Sequence, residues 1–449
     1  MRVPLTAAAV AAVVSLALCL MPPATRTCCA QLATIEAGPL QVGIATADIT
    51  PEGPVWMAGF AARTKPSEGV CKELKAQCVV FDNGVTRLAF VAFDLCKIFE
   101  PQLEDLRAAA QKAGIPPQHV MTNASHTHSG PLLSQKNSGY VALFKARTDP
   151  LFAAAVVGLQ PAVLDYTVGS CTMAINRRQL DGEGKATGMR PEPRKQIDPD
   201  VPILRVLSPE GAVRAIIFGY ACHPSTMSSY QVGPDYVGYA RDWIAAAYPH
   251  CVPIFLQGCG GDIKPRYTTP QGRFGYVLLD PVATTAELGH ELGRAVVSAL
   301  VVPPGPVPAG RPSAPQEAIT APVHLAGIIE RVGVPDKSDP EHKSHPIYMG
   351  AWRVGDVYIF GSQCELCSSI GLRIKRELSG LRVWTNGYTH WGGGYIPDAA
   401  SYPEGGYEVA TSSVSPATED IVVGNALRYV RALEQGKAAG GPIPGPDAH

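Results

Sequence analysis

The sequence predicts an α/β fold, a mixed β-sheet flanked by helices, and three observations predict it. Apolar runs of strand length alternate with segments of helical periodicity. Turn signals join some neighbouring strands as hairpins, so the sheet is not purely parallel. The histidine- and glycine-rich segments fall just after apolar runs, at strand ends, where α/β proteins carry their binding loops.

In chain order, residues 43–50 form a strand that stops at Pro51. Residues 78–93 form a hairpin about Asp82-Asn83-Gly84, a type I′ turn signal. Residues 101–112 have helical spacing, ended by Gly114 with Pro116-Pro117 beyond. A strand at 119–124 runs into SHTHSGP (125–131), and a hairpin across 201–220, turning at 208–211, runs into His223. Helices at 236–247 and 284–300 bracket a buried strand at 253–257. Residues 301–315, rich in Pro and Gly, form a surface connection. Strands near Val323 and across 348–360, a helix at 368–378 and a last helix at 425–435 complete the set. No internal repeat interrupts this order.

Residues 1–30 stand apart. Arg2, an apolar stretch at 5–20, Pro22-Pro23 and the small-residue site Cys28-Cys29-Ala30 compose a signal peptide, and a retained anchor helix is the alternative. Export to the periplasm or the exterior is the expectation. A tail at 437–449 is expected to fray, and no stretch after residue 30 is long and apolar enough to cross a bilayer. Hydrophobic residues at 46% with charged residues at 17% describe a globular core, and a net charge of −1 offers nucleic acid nothing to bind. The cysteines beyond residue 30 are odd in number, so at least one is free; Cys71 with Cys78 is the expected bridge. Cys364-Glu-Leu-Cys367 lacks a second pair, which makes it a weak zinc signal and a structural pair first.

Chemistry concentrates in a few segments. His126 and His128, two apart in extended chain, face one side, either as metal ligands or as a hydrogen-bonded loop pair. His223, at the end of IIFGYACHPST, is either a third ligand or a satisfied core histidine. The run from Gly258 through Gly260, Gly261 and Asp262 to Lys264 and Arg266 is either a substrate loop or a tight turn, and lacks the spacing of a phosphate-binding P-loop. Glu365 opens a helix, where a carboxylate coordinates metal or meets the helix N-terminus. The stretch 386–408 combines tyrosines with glycines, as a shaped polar pocket or an aromatic surface loop. The Asn123-Ala-Ser125 sequon is expected to be buried.

In order, GIATADITP with Met57-Ala-Gly59, SHTHSGP, Asn176-Arg177, His223, the GGD loop, Glu365 and the tyrosines Tyr395, Tyr402 and Tyr407 resemble the N-terminal catalytic domain of the neutral (non-lysosomal) ceramidases and their bacterial relatives. The resemblance spans about Gly43 to Glu408 and implies one catalytic domain over 31–436. It implies a single zinc held by His126, His223, Glu365 and Tyr395, with Tyr388 the alternative tyrosine because WGGG (391–394) looks inserted between the two. It further implies His128 as the catalytic histidine beside the metal and Arg177 as a conformational or substrate-orienting partner, with Gly59, Asp262, Lys264, Tyr402 and Tyr407 around the substrate. Zinc in such a site acidifies water and polarises the scissile carbonyl.

Two departures qualify the implied substrate. The family loop reads Gly-Asp-Val-Ser-Pro-Asn, and Lys264 stands where its serine would be. The ceramidases also continue into a C-terminal β-sandwich, whereas this sequence ends at His449. An amide, N-acyl and lipid-like substrate is therefore expected first. An ester or other small-molecule linkage, with Lys264 and Arg266 suiting an anion, comes second, and a non-catalytic binding protein on the same fold third.

Overall fold

The computed structural model describes residues 38–268, 273–274, 281–301, 317–319, 322–341 and 344–436. The signal-peptide segment, the tail and most of the Pro/Gly connection lie outside the described residues.

Three mixed sheets carry the fold. The first orders Val120–Ala124, Arg87–Phe93, Lys75–Asp82, Gln41–Asp48 and Gln160–Pro161. The second orders Val252–Gln257, Val213–Tyr220, Asp200–Leu207, Val163–Ser170 and Glu317–Ile319, and the third Leu325–Pro335, Ser344–Val354, Val357–Ser362 and Arg382–Asn386. Each sheet is antiparallel except for one parallel pair at an edge. Those edge pairs matter most, because two parallel strands deliver their C-terminal ends in the same direction. Val120–Ala124 delivers the two-histidine segment, Val213–Tyr220 delivers His223, and Val357–Ser362 with Arg382–Asn386 delivers Glu365 and Tyr388.

Strands buried on both faces, such as Lys75–Asp82 and Arg87–Phe93, are near-continuous in apolar residues, as two-sided burial requires. The helix Leu151–Val157 packs on the first sheet, Tyr236–Ala247 and Pro281–Val301 on the second, and Thr418–Glu434 on the third. No helix among the described residues is long and apolar enough to cross a membrane.

Asn123 knits the sheets where their ends meet. Its side chain donates to the Gln257 carbonyl (3.3 Å) and the Gly387 carbonyl (3.0 Å) and accepts from the Gln257 N–H (2.7 Å). It is fully buried, which leaves the sequon no room for a glycan.

Several expectations need correction. The first hairpin turns through Asn83–Thr86 rather than two residues, because the Asn83 side chain accepts the N–H groups of Val85 and Thr86. The apolar run at 348–360 is two strands folded back at Gly355, which has φ +66°. Helices Ser138–Thr148 and Leu151–Val157, absent from the predicted order, are short and backed by tertiary packing. Cys71 and Cys78 form no bridge: Cys78 sits fully buried opposite Val91 in the sheet, while the Cys71 thiol donates to the Val232 carbonyl (3.1 Å). All cysteines among the described residues are free.

Candidate metal centre

His126 follows its strand in a left-handed conformation, φ 66°, that only dense surroundings hold in a non-glycine residue. Its N–H bonds the Leu95 carbonyl (2.9 Å) and its ring Nδ1 donates to the Cys96 carbonyl (2.8 Å). His223, on the second sheet, donates from Nδ1 to the Gly260 carbonyl (2.7 Å). The glycines of that loop act by close approach: a Cβ on Gly261 would lie 2.8 Å from the Glu365 carbonyl oxygen. Glu365 in turn pairs in register with Tyr395, through the parallel strands Glu365–Leu366 and Tyr395–Ile396.

These four residues converge. Nε2 of His126 and Nε2 of His223 lie 3.3 and 3.2 Å from Oε2 of Glu365, and the Tyr395 phenol oxygen lies 3.4 Å from Nε2 of His223. Because each Nδ1 carries its proton toward a carbonyl, each ring, in its neutral and metal-binding form, turns an Nε2 lone pair inward. Two such lone pairs facing a buried carboxylate oxygen that has no hydrogen-bond donor repel unless a cation sits among them. The separations match the edges, about 3.3 Å, of a tetrahedron with bonds of about 2.0 Å, the length of zinc bonds to imidazole nitrogen and carboxylate oxygen. The residues fit zinc.

The same groups are electrostatically coupled, and a bound cation would take the place of the proton that these neighbours favour on His126. Burial by itself would lower the His126 imidazole, but Cys96 and Glu365 outweigh it and hold it well above its ordinary value. Burial by itself would raise the Glu365 carboxyl, but His126 and His223 pull it well below. Burial and the Arg177 charge push His223 down to about 4.

His128 stands beside this cluster, its Nε2 3.2 Å from that of His126. Burial, then the two other histidines, hold it well below its ordinary value, so it is neutral near pH 7. Its backbone N–H bonds the Pro224 carbonyl (3.0 Å), tying the two histidine loops together. Gly59, at φ +89°, packs on its side chain. Arg63 donates to its carbonyl and Phe60 meets its ring edge-on at 5.3 Å; both follow Met57-Ala-Gly59, but nothing local in the sequence points them at His128.

Arg177 is buried beneath Tyr395, donating to its phenol oxygen (3.2 Å) and to Glu408 Oε1 (2.7 Å). Glu408 also receives Arg178 (2.6 Å) and is the buried residue that sequence reasoning missed, its signal being its place directly after Tyr407. Tyr407 lies at the rim, its ring 5.6 Å from that of Tyr395. The Tyr388 ring lies tilted against His126, centroids 4.4 Å apart, with its hydroxyl buried and without a partner among the described residues.

Other predicted residues sit elsewhere. Asp262 accepts from Asn176 (2.6 Å) and the Ser368 N–H (2.7 Å), bracing the Arg177 strand to the helix after Glu365. Tyr402 donates to the Val414 carbonyl (2.6 Å), away from the cluster. Arg266 is turned outward into a pair with Glu291 (2.9 and 3.0 Å). Lys264 remains near: its charge lowers His128, its ammonium lies 5.3 Å over the Phe274 ring, and burial followed by Arg177 pushes it down to about 8.

No family model and no curated protein matches the chain. Solved structures do. A neutral ceramidase from Pseudomonas aeruginosa superposes with a TM-score of 0.71 at 19% identity, over 89% of this chain and 75% of that one. A ceramidase complexed with C2 superposes with a TM-score of 0.72 at 19% identity, over 91% and 77%. The chain therefore has the mixed α/β fold of the neutral ceramidases across about nine-tenths of its length.

Proposed function

We propose that the chain is an exported zinc-dependent hydrolase that cleaves an amide, N-acyl bond. The observation that carries this reading is the convergence of His126, His223, Glu365 and Tyr395 on one point, with lone pairs inward. The shared fold with ceramidases supports it. Those four residues would hold the zinc, which when bound would acidify water and polarise the scissile carbonyl.

The protein's own groups do the rest. His128, neutral and fixed by Gly59 and Arg63, places Nε2 at the edge of the cluster, where it moves the proton that the departing amine needs. Arg177 orients the Tyr395 phenol oxygen by its hydrogen bond and is itself held by Glu408.

Metal analysis of the purified protein is expected to find about one zinc per chain, and His126→Ala is expected to lose it. Losing a term of several kcal/mol lowers turnover of an N-acyl sphingosine or short N-acyl amine by roughly a thousandfold. Retention of zinc by the variant would sink the ligand assignment. Export is checked by the N-terminus of the mature protein, expected to begin near residue 31.

A second reading of the substrate is favoured by Lys264. A half-buried lysine beside Arg177 suits a substrate bearing an anionic group, whereas Arg266, paired to Glu291, takes no part. Among short N-acyl amines, those with a carboxylate are then expected to have the lower KM, and Lys264→Ser to erase the difference. The lysine also leaves a stability signature. With its folded value depressed to about 8, the folded protein sheds this proton at lower pH than the unfolded chain does. Between pH 8 and about 10 the wild type should therefore gain stability relative to Lys264→Met, by roughly 1–3 kcal/mol, measured by thermal denaturation.

A further inference from the structure

Beside the metal centre lies a small chamber whose walls include His126, Glu365, Tyr388, His390 and Trp391. His128, His223 and Lys264 do not line it. It has room for a single ordered water, about 10 Å³. Residues 391–393 form one of its walls. Gly392 donates its N–H to the Ile98 carbonyl (2.9 Å) and Gly393 to the Gln363 carbonyl (3.1 Å). The glycines are needed there, because a Cβ on Gly392 would lie 2.3 Å from the Lys97 side chain and one on Gly393 2.5 Å from Cys364 Sγ.

The lining is polar and unsatisfied. The Tyr388 hydroxyl, both ring nitrogens of His390 and the Trp391 indole nitrogen are all buried without a hydrogen-bond partner among the described residues, whereas Glu365 Oε2 faces the two histidines of the metal centre. Tyr388 is 6% exposed and His390 1%, so bulk water does not serve them. Folded proteins leave few buried polar atoms unpaired, and so many around one small cavity mark a place for something that both donates and accepts. A water that size makes about three hydrogen bonds, and this chamber offers that many. Tyr388 and His390 hold left-handed backbones, φ 57° and 61°, a strain of the kind that persists when it aims side chains at a site.

We propose that the chamber is a built water site, in which the Tyr388 phenol, the Trp391 indole N–H and a His390 ring nitrogen hold one water against the Glu365 carboxylate. Its use as the supply of hydrolytic water rests on the hydrolase reading above; its existence does not. Tyr388 is then a positioning residue for water and not a metal ligand. The half-buried residues Lys97 and 391–393 form the side from which water enters, so that a substrate lying against His128 and Lys264 does not block its replacement.

A high-resolution crystal structure of the zinc-loaded protein tests this without turnover. Density for an ordered water within hydrogen-bond distance of the Tyr388 phenol oxygen is expected, and a chamber empty in the wild type would overturn the proposal. Tyr388→Phe is expected to lose that water while keeping its zinc, with kcat lowered about tenfold and KM unchanged, the loss of roughly one hydrogen bond. Loss of zinc would overturn it by making Tyr388 a ligand. An unaltered kcat would overturn the supply role. Trp391→Phe, which keeps the ring and removes only the indole N–H, should shift or weaken the same density. A wild type that hydrolyses nothing would count against the hydrolase reading alone, since the water is read from density.

Discussion

Glu408→Ala is expected to cost about 3–5 kcal/mol of stability, a large part of the ~5–15 kcal/mol that holds an ordinary domain together. Glu408 is 1% exposed and accepts from Arg177 Nε at 2.7 Å and Arg178 Nη1 at 2.6 Å, and both arginines are buried. Deleting the carboxylate leaves a guanidinium uncompensated under the metal centre, which costs far more than the pair contributes relative to apolar residues. Arg178 keeps Glu404 (2.9 Å), so Arg177 bears the loss, and the Tyr395 phenol that it orients should move with it. A fall in the urea midpoint together with weakened zinc retention is the expected pair of readouts; an unchanged midpoint would contradict the account. Burial by itself would raise the Glu408 carboxyl, but the two arginines hold it below its ordinary value. Its contribution is therefore fully present above the unfolded carboxylate pKa of about 4.3 and is lost as pH falls through the lower folded value. Glu408→Gln should accordingly flatten the acid limb of the stability curve.

Gly59→Ala is expected to separate catalysis from metal binding. Gly59 sits at φ +89°, which favours glycine, and a Cβ there would meet His128 Cβ and Cγ at 2.5 Å. His128 must move, whereas His126, His223, Glu365 and Tyr395 are held by other contacts. Zinc content should stay near one per chain while kcat falls by about 10², since a shift near 1 Å in a catalytic group carries that order of loss. Normal turnover by the variant would remove His128 from the mechanism.

Much of this arrangement was legible in the order of residues. The apolar strand before His223 and the helix start after Glu365 are local patterns, and short-range sterics and burial alternation govern them. The helix Tyr236–Ala247 and the hairpin between Lys75–Asp82 and Arg87–Phe93 lie where periodicity puts them for the same reason. His126 and His128 come together instead through the left-handed backbone at His126, φ 66°, and not through the alternation of an extended chain. The Cys71–Cys78 bridge failed because sequence proximity says nothing about which way two thiols point, and the sheet register turned Cys78 into the core. Glu408 and Arg63 escaped notice because their partners lie 231 and 65 residues away, at Arg177 and His128.

The sequence by itself therefore determined the elements, the residue types able to ligate a metal and the glycines beside them, because those depend on neighbours along the chain. Only the tertiary structure decided that His126, His223, Glu365 and Tyr395 meet, that Lys264 stays near the site while Arg266 leaves it, and that Tyr388 faces a chamber. Three parallel edge pairs aim their strand ends at one place, and Asn123 ties those ends together. Which side chains share a point in space depends on how sheets pack, and that is a property of the whole chain.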